Sequence, residues 1–319
     1  MADCSDLFQT FHDRIRLPSS KREYLMQARD ALRERMRKHF KEELKCNVPK
    51  FWIQGSYAMR TVANPLDGEY DIDDGVYLQN LDGNQDKWPS ASTVHDWIYK
   101  AVKGHTDKDP VDKRCCVRVI YSGKYHVDLP IYAENKGLYY LAEKGEKSWN
   151  ESNPRALTEW FKKEAGTKGE QLRRFVRYLK AWADFKGKDN GKMPSGLLLT
   201  VLGGYNYEKH DRDDTCVGAT VKNINASLTT NFVVYNPVDF KEDLASHLTE
   251  SQKETFKDLV SKLLVSAGKA LKEDSKKKAS EMWQKEFGDR FPIGDDPDKK
   301  KEFVVTSTPA LLKNDARSA

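Results

Sequence analysis

No stretch of this 319-residue sequence approaches the roughly 18 consecutive apolar residues that a membrane-spanning helix requires. Apolar residues make up 38% of the chain, charged residues 32%, and mean hydropathy is −0.77, which describes a solvated surface around a core of ordinary size. Cysteine is sparse. Cys4, Cys46, Cys115, Cys116 and Cys216 are odd in number and show no C-x-x-C spacing, so neither a zinc site nor a disulfide framework is expected. Met1 to Asp6 lacks the basic start and apolar core of a secretory signal, and with thiols expected to stay reduced the expected location is the cytoplasm. There is no long Lys/Arg run and no internal repeat. A net charge of +5 suits a phosphate-bearing ligand but is too small to point to nucleic acid by itself.

Periodicity divides the chain. Tyr24, Ala28, Leu32, Met36, Phe40 and Leu44 recur every four residues with Leu25 beside them, the stripe of an amphipathic helix over about 19–46. The period then shortens. Phe51 to Ile53, Asp71 to Leu78, Val117 to Tyr121 and Tyr125 to Ile131 read as strands, the last two joined at Ser122-Gly123 as a hairpin. Ser92 to Val102 reads as a short helix. Beyond Asn153-Pro154 the pattern is helical: 154 to about 164, 170–186 with Leu172, Phe175, Val176, Leu179, Trp182 and Ala183 on its apolar face, 194–202, 250–272 and 276–287. The expected organisation is an α+β core over 1–150, a helical lobe over 151–294, and a weakly ordered, charge-rich tail over 295–319.

Three carboxylates carry the chemistry. Asp71 and Asp73 are two apart on an expected strand and therefore share a face. In His126-Val127-Asp128-Leu129-Pro130 the apolar residues face one way, and His126 and Asp128 the other. An aspartate in a core strand is costly unless paired or metal-bound, and Mg2+ prefers carboxylate and water oxygens. Ahead of them stands Gln54-Gly55-Ser56, where glycine permits close approach of phosphate to backbone and serine offers a hydroxyl. A phosphate cradle followed by convergent carboxylates supplies the parts that nucleotidyl transfer by two metals needs. Each element alone is common in solvated turns and strand edges; their order makes the combination specific.

Phe51-Trp52-Ile53-Gln54-Gly55-Ser56, Tyr70-Asp71-Ile72-Asp73-Asp74-Gly75-Val76-Tyr77 and His126-Val127-Asp128-Leu129-Pro130-Ile131-Tyr132 together resemble the catalytic core of the cGAS/DncV-like nucleotidyltransferases. The likeness continues through Trp149 to Pro154, Leu179 to Trp182 and Pro194 to Gly196, and so covers about residues 20–205. It implies a polymerase-β-like nucleotidyltransferase core with a small mixed sheet, a C-terminal helical lobe, and an active site in the cleft between them. It also implies that Asp71, Asp73 and Asp128 hold two Mg2+ ions, with Mn2+ able to substitute, and that Asp128 helps deprotonate the attacking hydroxyl. Gln54, Gly55, Ser56, Lys180 and Ser195 are implied in binding the donor nucleotide, and Arg118 in contacting the acceptor. Lys180 lies on a helix face with Arg173, Arg177 and Asp184, read as a basic stripe toward the cleft. Ser195 follows Pro194 at a helix start, a position equally suited to phosphate or to an N-cap. Met59 stands where the resemblance leads one to expect an aromatic residue stacked on a base.

The activity this resemblance implies is synthesis of a cyclic di- or trinucleotide second messenger from NTPs, ATP among them, in the anti-phage systems called CBASS. Regulatory or conjugating partners would then act on the C-terminal tail. Two other readings stand beside it: a linear nucleotidyltransferase acting on RNA ends or making oligoadenylate, and a non-catalytic nucleotide-binding protein. The absence of an RNA-binding module or basic groove favours small-molecule substrates.

Overall fold

The structure is a computed structural model and describes residues 1–145 and 148–296; from residue 297 the expected tail lies outside the described residues. The chain opens with two helices, α1 (Ser5–Ile15) and α2 (Ser19–Glu42). On α2 the buried apolar side chains are Leu25, Ala28, Leu32, Met36 and Phe40, whereas Tyr24 is 52% exposed. A four-residue repeat drifts about 40° per step around a helix of 3.6 residues per turn. The ends of so long a run therefore rotate off the core face, and Leu25 takes the place expected of Tyr24.

The sheet follows. Strand β1 (Lys50–Gln54) runs into the single turn α3 (Gly55–Ala58), then β2 (Tyr70–Tyr77), α4 (Ala91–Val102), β3 (Val111–Asp112), β4 (Val117–Tyr121), β5 (Tyr125–Leu129), β6 (Ile131–Asn135), β7 (Leu138–Ala142) and β8 (Trp149–Glu151). Hydrogen-bonded neighbours run β3-β4-β5-β2-β6-β7-β8, with β1 also paired to β2. Sequence periodicity predicts one strand from Tyr125 to Ile131; the structure divides it at Pro130, which has no N–H to donate to a ladder. Both pieces run parallel to β2, β5 against Tyr70–Asp73 and β6 against Val76–Tyr77. Because β1 takes the other edge of β2 from Asp73 to Tyr77, the two pieces lie in line beside it. One face of this mixed sheet buries Ile72, Val76, Val117, Val119, Val127, Leu129 and Ile131 under α2 and α4.

The second lobe is built from α5 (Pro154–Lys168), α6 (Glu170–Asn190), α7 (Gly196–Asn206) and α8 (Asp213–Thr230), a small hairpin of β9 (Tyr235–Asn236) and β10 (Asp239–Asp243), then α9 (Glu250–Ala270) and α10 (Lys276–Phe287). The expected apolar face of α6 is buried throughout. Helix α1 does not pack with the sheet, as a core over 1–150 would require. Its Leu7, Phe8, Phe11 and Ile15 enter the helical lobe's core, where Phe8 meets Trp283 edge-on at 5.0 Å and Phe291 at 4.9 Å. The first segment thus belongs with the second lobe; its amphipathic face is short, and a sequence pattern does not say which of two cores it enters.

Helix α6 ties the lobes together along one face. Arg173 Nε donates to the Met59 carbonyl at 3.3 Å, Arg177 to the Arg60 carbonyl, and Lys180 Nζ reaches the Thr61 carbonyl at 3.4 Å. Further along, the Leu66 N–H donates to Asp184 at 2.9 Å, and Arg290 donates to the Asn64 carbonyl at 2.6 Å. The stripe read from sequence as pointing into the cleft is therefore spent, at Arg173 and Arg177, on the loop that follows α3.

On the face of β2 opposite Asp71 and Asp73, Asp74 is fully buried and pairs with Arg33 of α2, Nε to Oδ2 at 2.7 Å. Burial pushes the Asp74 carboxyl upward against this guanidinium. Arg33→Met would strand the carboxylate, and a buried pair broken on one side costs about 3–5 kcal/mol. We expect a loss of that size in urea unfolding at pH 7, with Asp74→Asn in the same background restoring part of it.

Candidate active site

The register of four strands composes the site. Gln54 pairs with Asp73, Asp73 with Asp128, and Asp128 with Arg118, so one row across the sheet reads Gln54, Asp73, Asp128, Arg118. Neighbouring strands are about 4.8 Å apart, which brings like charges together on one face. In the next row Asp71 pairs with His126. Single oxygens of Asp71 and Asp128 and a ring nitrogen of His126 all lie within 4.8 Å of one another. Asp73 shares the face with Asp71, stands beside Asp128 in the register, and lies against the Gly-Ser turn.

That turn requires its glycine. Gly55 has φ +65°, and a Cβ added to it would overlap Asp73 Oδ2, so the backbone of α3 rests directly on the carboxylate. Gln54 is buried; its Nε2 donates to Tyr132 Oη at 2.9 Å, and its Oε1 has no partner. Ser56 lines the open side.

Above the carboxylates lies a cleft of about 850 Å³. Gly55, Ser56, Asp71 and Asp73 form one wall, Lys180 and Asp184 of α6 the opposite wall, and Met59, Val62, Leu157, Met193 and Leu197 an apolar end. Met59 is itself buried, packed into the helical lobe. Lys180 also lies beside the start of α7, its Cε 3.6 Å from where a Cβ on Gly196 would stand. The Ser195 side chain caps α7, accepting from the Leu198 N–H at 3.2 Å, while its neighbours Pro194 and Gly196 line the cleft.

Electrostatics mark the floor as short of positive charge. Burial, then Asp71 and Asp128, push the Asp73 carboxyl up to about 8. Burial also pushes Asp71 upward, but His126, Arg118 and Lys180 outweigh it and hold the group below its ordinary range. Desolvation draws the Lys180 ammonium down to about 8 against the pull of Asp71. Arg118 forms a two-pronged pair with Asp128, both bonds at 2.6 Å, so the residue implied for the acceptor nucleotide sits on the third aspartate. His126 is buried, with Nε2 3.5 Å from Asp71 Oδ2 and no hydrogen-bond partner. Three crowded carboxylates, one pushed upward by burial and by its neighbours, together with an orphaned imidazole nitrogen, fit a hard divalent cation. The sequence puts His126 on the same strand face as Asp128; its partner across the register, Asp71, was the missing signal.

Residues 49–132 match the family model for the nucleotidyltransferase domain of cyclic GMP-AMP synthase DncV-like proteins. A cyclic GMP-AMP synthase from Escherichia albertii is 32% identical over 254 residues, 74% of this chain and 56% of the relative. A cyclic AMP-AMP-AMP synthase from an Acinetobacter species is 26% identical over 280 residues, 83% of this chain and 78% of the relative. The chain spans about half the length of the cyclic GMP-AMP synthases it matches. The crystal structure of the Vibrio cholerae DncV cyclic AMP-GMP synthase superposes with a TM-score of 0.76 at 20% identity, covering 91% of this chain and 97% of that one, which establishes the polymerase-β-like bilobal fold. The chain belongs to the cGAS/DncV-like nucleotidyltransferases. No described helix is long and apolar enough to cross a membrane.

The proton on Asp73 has a consequence for stability. In the unfolded chain the group ionises near 3.9, whereas the folded protein without metal keeps its proton to about 8. The stability tied to that proton is present in full below about pH 4 and is lost as pH rises to about 8. Asp73→Asn, which cannot ionise, should flatten this decline. In EDTA at pH 8 its Tm should exceed that of the unaltered protein by at least about 2 °C, and the two should converge near pH 4.

Proposed function

We propose that this protein joins nucleoside triphosphates into a cyclic oligonucleotide. The observation that carries the reading is the row Gln54-Asp73-Asp128-Arg118 across the sheet, whose Gln54 and Asp73, with Asp71, line a cleft that Ser56 and Lys180 also line. The products named for the relatives, cyclic GMP-AMP and cyclic AMP-AMP-AMP, both contain adenosine, which supports ATP as a substrate. A cleft of about 850 Å³ suits a ligand of nucleotide size.

Asp71, Asp73 and Asp128 would hold two divalent cations, Mg2+ or in its place Mn2+. When bound, these supply the charge that activates the attacking hydroxyl and steadies the departing pyrophosphate. The donor triphosphate lies along Gly55 and the Ser56 hydroxyl, with Gln54 holding the turn from beneath. Lys180 neutralises its outer phosphates from α6, and the start of α7 at Ser195-Gly196 contributes N–H groups. The base occupies the apolar end beside Met59 and Met193. Arg118 leaves Asp128 for the acceptor nucleotide, and Asp128 takes the proton of the attacking ribose hydroxyl. The ribose oxygen bonds to the α-phosphorus, the bond to the β-phosphate oxygen breaks, and pyrophosphate leaves. A second or third round closes the ring.

The product would serve as a second messenger in CBASS anti-phage defence, with regulatory or conjugating proteins acting on the tail. The nucleotidyltransferase unit runs to about residue 150, with the helical lobe completed by α1.

Incubation with all four labelled NTPs and Mg2+ or Mn2+, followed by phosphatase, tests the reading. A phosphatase-resistant product is expected, absent from the Asp71→Asn/Asp73→Asn variant, while a phosphatase-sensitive ladder would identify a linear transferase instead. Lys180→Ala should raise the KM for ATP about tenfold or more, the worth of one hydrogen bond to a charged group; an unchanged KM would remove Lys180 from the triphosphate site.

A further inference from the structure

We propose that His126 is a direct nitrogen ligand of the metal centre, a fourth protein donor beside the three aspartates; this rests on the reading of the carboxylate floor as a metal site. Two features converge on it. The Nε2 atom is buried without a hydrogen-bond partner. An imidazole nitrogen left so carries a desolvation penalty of about 1–3 kcal/mol, and such orphans in a folded protein call for a bound partner or a functional explanation. At 3.5 Å from Asp71 Oδ2, the nitrogen stands outside the 2.7–3.2 Å range of a good N–H···O bond. It is well placed, however, as a neighbouring ligand on one cation. Around a six-coordinate ion with bonds of about 2.1 Å, adjacent donors are about 3.0 Å apart and opposite donors about 4.2 Å. The donors of Asp71, His126 and Asp128, all within 4.8 Å of one another, need only small movements to meet those spacings.

The strand register makes the arrangement structural rather than a chance rotamer. His126 faces Asp71 across the parallel pair, as Asp128 faces Asp73, so the imidazole cannot leave the catalytic face without a slip of β5. Arg118 holds Asp128 by both oxygens, and a cation entering between Asp71, His126 and Asp128 replaces the guanidinium on at least one of them. His126 has only the looser 3.5 Å contact with Asp71, whereas both Arg118 bonds to Asp128 are 2.6 Å.

An imidazole alters which ion is preferred. Mg2+ favours oxygen ligands, whereas nitrogen donors bind Mn2+ and later first-row ions more readily. The centre therefore selects Mn2+ over Mg2+ more strongly than three carboxylates alone would.

The test uses the full chain with Mn2+ as the only added ligand. Pulsed EPR should show a ¹⁴N coupling of directly bound imidazole in the unaltered protein, and its loss in His126→Gln. The chain has seven histidines, so loss in this variant assigns the signal. The Kd for Mn2+ should weaken at least about tenfold in His126→Gln, with a smaller change for Mg2+. Should His126→Gln fail to fold, disappearance of the same coupling in Asp71→Asn locates it at this centre. Mn2+ bound without ¹⁴N coupling, but lost in Asp71→Asn and Asp128→Asn, would overturn the histidine ligand and leave the metal site standing. Absence of Mn2+ binding, or binding that survives both aspartate changes, would overturn the metal site and this inference with it.

Discussion

Repulsion between carboxylates that the strand register forces onto one sheet face is the constraint around which this molecule is arranged. Parallel pairing of β2 with β5 sets Asp73 beside Asp128 and Asp71 beside His126. Nothing in folding favours that concentration of negative charge, and the Asp73 carboxyl, by its burial first and then by the charges of Asp71 and Asp128, keeps its proton to about 8. The surroundings compensate in layers. Arg118 closes on Asp128 from β4, and Lys180 approaches from the facing lobe. Behind the strand, the Arg33–Asp74 pair and a continuous apolar face under α2 and α4 hold β2 in register. The sheet's stability is thus supplied from its back so that its front can stay electrostatically unsatisfied, the condition in which a divalent cation binds well.

The division of labour between the lobes follows from the same arrangement. The sheet contributes carboxylates and the glycine turn; the helical lobe contributes a cation and an apolar wall. Neither makes a nucleotide site alone, and the face of α6 that closes the cleft also carries the ties to the 59–66 loop.

What could be read from the sequence was whatever depends on local periodicity. Alternation alone put Asp71 with Asp73 and His126 with Asp128, and the apolar spacing of α6 gave its buried face. Non-local matters were hidden. The place of α1 depends on which core accepts Phe8 and Phe11, a choice between two apolar surfaces that periodicity treats alike. The break at Pro130 was visible as a residue but its effect was not, because β5 and β6 run on in one direction beside β2. Arg173 and Arg177 looked like ligand-binding cations because their partners in the 59–66 loop are carbonyl oxygens, and backbone acceptors leave no signature in side-chain sequence. Asp71 with His126 was out of reach for a similar reason: strand register is set by the whole sheet.

The strapping of the 59–66 loop bears on how such a protein could change its substrate over generations. Arg173, Arg177, Lys180 and Arg290 grip the loop by its carbonyl oxygens, and Asp184 by an N–H. Main-chain atoms are the same whatever amino acid bears them. The path of the loop is therefore encoded largely on α6 and at Arg290, while side chains at positions such as 59 and 62, which line the cleft, contribute shape and chemistry to a contour already set. Separating the instruction for where the wall runs from the instruction for what it is made of lets a lineage exchange wall residues singly, without dismantling the cleft at each step.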